Sequence, residues 1–254
     1  MTTAGGQSRV LQLVAACWLI TAAAGASAGQ VLAAVASNFA LPAQALAAEF
    51  ERATSHTVSI SAGATGKLYA QIVQGAPFDV LLAADAWRPE RLEVEGHAVA
   101  GSRFTYAIGL LSLWSPRTDA FGDDPVAYLR AGGFRRLALA NPDLAPYGSA
   151  AREVLEHLGL QGEFADRIVV AENLGQAHAM VDTGNADAGF LARAQVIGRA
   201  GSHWSVPEAM HTPIAQQALL LKRAAENRAA AGFLSFLRTE AARRAIARSG
   251  YGLP

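Results

Sequence analysis

Apolar positions along the chain fall into two rhythms that take turns. Gln30 to Ala36 is a short apolar run that suits a buried strand. Leu41, Ala45, Leu46, Ala48 and Phe50 then recur at helical spacing. Asn38 is expected to cap that helix, with Pro42 in its first turn. Val58 to Ser61 alternates as a strand does, and Lys67 to Val73 reads as helix, ended by Gly75. Phe78 to Ala83 is again an apolar strand, and a helix is expected from Trp87. Strand and helix alternating in this way predict an α/β sheet with parallel strands.

Tyr106 to Trp114 reads as one long strand, closed by Ser115-Pro116, and beyond it the rhythm repeats. Strands are expected at Arg136 to Ala140, Ile168 to Ala171, Ala186 to Leu191 and Pro213 to Leu221. Helices are expected at Ser149 to Leu158, Gln176 to Asp182, Ala224 to Leu237 and Glu240 to Ser249. The expected architecture is two α/β lobes. Lobe I takes residues 29–112 plus 216–254 and lobe II residues 113–215, with hinge strands near Ala107–Trp114 and Ala215–Leu221.

Residues 1–28 break this pattern. Arg9 is the only charge before an apolar run from Val10 to Ala24, and Ala26-Ser27-Ala28 then fits a small-x-small cleavage site before Gly29. The run is about 15 residues long, short for a membrane span of about 20. An export signal is therefore expected. The single cysteine, Cys17, lies inside it; Val14-Ala15-Ala16-Cys17 resembles a lipoprotein box, but Trp18-Leu19-Ile20 continues the apolar stretch past it. Lipid anchoring at Cys17 is the minor alternative. The chain after cleavage holds no cysteine, so neither disulfide nor thiolate chemistry is expected.

Composition narrows the function. The 254-residue chain is 52% hydrophobic and 17% charged, with a net charge of zero. That supplies a core and argues against general binding to nucleic acid or to a membrane surface. The six histidines show no metal-ligand spacing, and no Gly-x-Ser-x-Gly elbow occurs.

Candidate chemistry sits in four strand-to-helix loops: Ala36-Ser37-Asn38-Phe39, Gly63-Ala64-Thr65-Gly66, Ala145-Pro146-Tyr147-Gly148 and Asn173-Leu174-Gly175-Gln176. None holds a charged side chain. Helix N-termini expose unpaired N–H groups and a partial positive charge, so the four together suit an anion. Gly63 to Lys67 looks like a nucleotide P-loop but fails as one, because Ser61 and Leu68 stand where Gly and Ser or Thr are needed. Asp85 and Glu172, each one residue from a loop, read as surface or capping residues. Lys67 reads as a solvated helix residue, with a role at the rim of the site as the alternative. His178 reads as a helix-face residue.

Several blocks resemble the periplasmic molybdate-binding proteins, of the type II periplasmic solute-binding protein family. They are Ala34 to Phe39, Gly63 to Gly66 followed by Tyr69 to Pro77, Gly101 to Gly109, Asn141-Pro142 to Tyr147-Gly148, Gly175 to His178 and Gly250 to Pro254. The likeness spans nearly all of the chain after the signal, in order. It implies a two-lobed α/β binding protein, two mixed sheets flanked by helices and joined by two hinge strands. It implies that molybdate or tungstate binds between the lobes and passes to an ABC transporter permease, with no catalysis and no cofactor. A monomer in the periplasm, without nucleic-acid partners, is expected. The ligand contacts carried over are Ser37, Asn38, Thr65, Tyr147 and the Leu174 backbone. Tyr147 is a candidate to supply a phenol that some relatives place late in the second lobe; Ala84 is left open. The alternatives are another oxyanion such as sulfate on the same scaffold, and a secreted hydrolase.

Overall fold

The computed structural model describes residues 28–254. The predicted export segment, with Cys17 and its lipid-anchor alternative, lies outside the described residues. In chain order the elements of the first half are β1 (Gln30–Ala36), α1 (Ala40–Ala53), β2 (Thr57–Gly63), α2 (Thr65–Val73), β3 (Val80–Leu82), α3 (Trp87–Val94), β4 (Phe104–Gly109), β5 (Leu111–Ser115) and α4 (Pro125–Arg130). They continue with β6 (Leu137–Ala140), α5 (Pro146–His157), β7 (Ile168–Ala171), α6 (Leu174–Asp182), β8 (Ala188–Ala192), α7 (Arg193–Val196), β9 (Ser202–Ser205), β10 (Ile214–Leu220), α8 (Arg228–Leu237) and α9 (Glu240–Arg248).

The strands form two five-stranded sheets, β2-β1-β3-β10-β4 and β7-β6-β8-β5-β9. In each, three parallel strands continue into an antiparallel pair: β10 runs against β3 and β4, and β5 against β8 and β9. The shared order means that β1 and β2 in one lobe correspond to β6 and β7 in the other. All four end at the mouth between the lobes, where ligands of open α/β sheets sit.

The first sheet is buried on both faces. Val31, Val35, Phe39, Leu46 and Phe50 pack with Phe233 and Ile246 of the C-terminal helices on one side. Leu68, Ile72 and Leu92 pack with Leu81 and Leu219 on the other. The C-terminal segment thus returns to the first lobe. The second lobe's core, around Trp114, Leu137, Val154 and Phe190, reaches across the seam to Ala36, Ala84 and Ile214.

Four expectations change. The run Tyr106 to Trp114 is two strands: β4 belongs to the first sheet and β5 to the second, with Leu110 between them as the crossing. β10 pairs wholly within the first sheet, and residues 206–213 make the second crossing. Asn38 lies inside a 3-10 turn, Ser37–Phe39, and makes no helix cap. The eighth helix starts at Arg228, because the Asn227 side chain accepts from the N–H groups of Ala229 and Ala230 and caps it there.

Candidate functional site

The ends of β1, β2, β6 and β7 bring the four loops to one small cavity of about 10 Å³ between the lobes. Ser37, Asn38, Thr65, Tyr147 and Leu174 all line it, and Ala84, just after β3, completes the wall. No charged side chain lines it. Any charge brought there is met by dipoles alone.

The two hydroxyls are held in one sense. Ser37 Oγ accepts the Gly175 N–H across the seam at 3.3 Å. Thr65 Oγ1, 1% exposed, accepts the Ala84 N–H at 3.1 Å. With one acceptor position of each oxygen filled by a backbone donor, each hydroxyl keeps its O–H, with one lone pair, to offer. Backbone donors add to this. Thr65 and Leu174 are the first residues of α2 and α6, and Tyr147 is the second of α5. N–H groups there have no acceptor within their own helix. Asn173 caps α6 through Gln176 N–H at 3.0 Å, and Pro146 pre-sets the first turn of α5.

Asn38 and Tyr147 depart from what their side chains suggest. The Asn38 amide is turned into the core: Nδ2 donates to Gln216 Oε1 at 2.7 Å and to Tyr251 OH at 3.2 Å. Its backbone N–H is the donor it has left for the cavity. The Tyr147 hydroxyl is fully buried without a hydrogen-bond partner, against Gly109, which does not line the cavity. Burial pushes its pKa well up, so the phenol stays protonated. It faces the crossing at Gly109, while the Tyr147 N–H stands in the first turn of α5 without an acceptor in that helix.

Charged residues ring the site. Lys67 and Glu172, expected as solvated or surface residues, form an ion pair across the seam at 2.7 Å. Arg88 pairs with Asp85 and donates to the Asp143 carbonyl of the other lobe at 2.8 Å. Gly66 N–H donates to the Leu144 carbonyl at 2.9 Å. Burial raises the pKa of Asp85, and the Arg88 guanidinium opposes it. Asp85 also accepts the Arg88 N–H in the first turn of α3 and lines a second recess that adjoins the cavity. Among the described residues no group of three or more His, Cys, Asp or Glu could hold a metal ion, and no helix is long and apolar enough to cross a membrane.

Residues 31–252 match one family along almost the whole described chain. The chain belongs to the bacterial extracellular solute-binding proteins. Two relatives of this solute-binding protein are molybdate-binding proteins ModA. That of Rhodobacter capsulatus is 47% identical over 89% of this chain and 89% of the relative. That of Azotobacter vinelandii is 46% identical over 91% of this chain and 93% of the relative. Among solved structures, the Azotobacter vinelandii periplasmic molybdate-binding protein superposes with a TM-score of 0.86 at 43% identity, covering 88% of this chain and 99% of that one. The two-lobed fold with two mixed, helix-flanked sheets is thus that of the solute-binding family.

Gln216 was missed by sequence reasoning. It lies in the run Ala215-Gln216-Gln217-Ala218, where two adjacent glutamines hide which one faces inward, and a register shift falls between them. The structure buries Gln216 completely and leaves Gln217 at the edge with Arg103.

Proposed function

We propose that this solute-binding protein captures molybdate, and tungstate with it, between its lobes and delivers the ion to an ABC transporter permease. It works in the periplasm as a monomer, with no cofactor and no chemistry on the ligand. The contacts are the Ser37 and Thr65 hydroxyls with the backbone N–H groups at Asn38, Tyr147 and Leu174. The observation that carries the reading is an uncharged interlobe cavity whose two hydroxyls each already accept a backbone N–H. That two of the relatives are molybdate-binding proteins supports the same choice of ion.

The physics favours a fully deprotonated tetrahedral dianion. Each helix N-terminus carries roughly half a positive charge, so four give about +2 as a formal sum. Hydrogen bonds to a charged partner contribute about 1.5–3 kcal/mol each. Closure and ordering offset much of that gain. Fixed dipoles demand a matched radius, which separates molybdate from the smaller sulfate and hardly separates it from tungstate. Phosphate near neutrality keeps a proton that wants an acceptor, and the carboxyls beside the loops, Asp85 and Glu172, are already engaged by Arg88 and Lys67. Thermal melting with equal concentrations of each ion tests this. Molybdate and tungstate should raise the melting temperature by mass action, while sulfate and phosphate leave it unchanged. An equal rise with sulfate, or a larger one with phosphate, would overturn the reading.

A further inference from the structure

The oxyanion loop after β1 is tied to β4, β10 and the C-terminal Tyr251 through a buried polar network. Asn38 Nδ2 donates to Gln216 Oε1 at 2.7 Å, and the Tyr251 hydroxyl donates to the Asn38 carbonyl at 2.7 Å. Asn38 is therefore gripped from both its side chain and its backbone. Tyr106 OH donates to the Ala83 carbonyl at 3.1 Å, one residue before Ala84, and reaches Gln216 Oε1 at 3.5 Å. Gln216 is 0% exposed, Tyr106 2%, Asn38 4% and Tyr251 4%. Burial raises the pKa of both phenols, so each is a neutral donor. Gln216 Nε2 is buried without a partner, so Gln216 joins the network through its Oε1 alone.

We infer that Gln216 is a positioning residue for the anion: through Asn38 and Tyr106 it sets the spacing between the β1 loop and the Ala84 wall of the cavity. Gln216 itself does not line the cavity. Its carbonyl oxygen accepts from Asn38 on the first loop and lies 3.5 Å from the Tyr106 hydroxyl, whose one proton goes to the Ala83 carbonyl of the other wall. Moving that oxygen disturbs both contacts. The grip falls on the 3-10 turn at Ser37–Phe39, a turn of the kind common at helix N-termini. The consequence is selectivity: donors fixed at one spacing separate tetrahedral ions by size, and donors on a loosened loop do not. This rests on the anion-binding reading above.

The test measures molybdate and sulfate affinities by titration calorimetry for the wild-type protein, Gln216→Met and Tyr251→Phe, with thermal melts of each ligand-free protein. Gln216→Met keeps the volume and removes that acceptor. We expect a cooperative melt, a molybdate affinity about tenfold weaker, equivalent to one lost hydrogen bond, and a smaller molybdate-to-sulfate ratio. Tyr251→Phe releases Asn38 from its other side and should shift the ratio the same way, to a lesser degree. Gln216→Met with wild-type affinity and ratio overturns the inference while leaving the anion-binding reading intact. Loss of the cooperative melt in Gln216→Met, with an unchanged ratio in Tyr251→Phe, overturns it in favour of a purely structural glutamine. A wild-type protein that binds neither ion overturns both readings.

Discussion

The Tyr147 hydroxyl of the second lobe is packed onto Gly109 of the first, at the residue where β4 ends and the chain crosses between sheets. A Cβ built on Gly109 would overlap that hydroxyl and crowd Ile214 as well. The glycine is needed here for space, since its backbone is not among those with positive φ. Gly109→Ala should therefore hold the lobes apart. We expect roughly 1–3 kcal/mol of destabilisation from overpacking and a clear loss of molybdate affinity. Small-angle scattering of the liganded protein should show a larger radius than wild type. Wild-type compactness and affinity together would mean that the seam adapts.

Tyr147→Phe separates the two offers of this residue, phenol and backbone. The hydroxyl is buried with no hydrogen-bond partner, a situation that costs about 1–3 kcal/mol. Its removal should leave molybdate affinity within about threefold, less than one hydrogen bond's worth, and raise the melting temperature. A tenfold loss of affinity in calorimetry would return the phenol to the list of ligand contacts.

Thr65 does two things with one oxygen, accepting the Ala84 N–H and keeping its own proton for the cavity. Thr65→Ala removes that donor and leaves a buried N–H unpaired. Molybdate affinity should fall by about 10- to 100-fold, the equivalent of one charged hydrogen bond. Thr65→Ser keeps the hydroxyl and should stay close to wild type. Equal losses in the two variants would indicate that the methyl group, not the hydroxyl, is what the site requires.

The parts of this molecule that local pattern controls were legible before any coordinates. Strand β1 from its apolar run, α2 ended at Gly75, whose φ is +87°, and the loops at the strand ends all follow from short-range signals. What depends on distant partners was not. The break at Leu110 is invisible in the apolar run because the two strands follow directly on one another and differ in which sheet they join. Asn38 looked like a cap because capping is what an asparagine does locally. Its true partners, Gln216 and Tyr251, are 178 and 213 residues away. Lys67 and Glu172 each look solvated alone and meet only because the lobes face each other.

Leu174 shows the same division within one residue. Its N–H is the proposed contact, yet its side chain is 2% exposed and belongs to the second lobe's core. Leu174→Ala should therefore cost stability, about 2–5 kcal/mol as for other buried leucines, while the affinity of the folded protein changes little. Chemical denaturation and calorimetry read the two effects separately. A large affinity loss with unchanged stability would make the side chain a wall of the pocket.

His178 gives the fold a pH dependence near neutrality. Its ring stacks on Trp114 at 5.9 Å, with the Arg199 guanidinium over the same indole at 5.1 Å. Burial lowers its pKa below 6.5, Arg199 lowers it further, and Asp182 opposes them. The folded state then binds fewer protons than the unfolded one between the depressed pKa and 6.5. Stability is full above that window and falls as pH drops through it. The carboxylates with lowered pKa values, Glu93, Glu95 and Asp187, lose their contributions only at more acidic pH. Melting temperature should thus decline as pH is lowered from 7.5 to 5.5, and His178→Gln should flatten that decline. Parallel curves for wild type and variant would place the titrating group elsewhere.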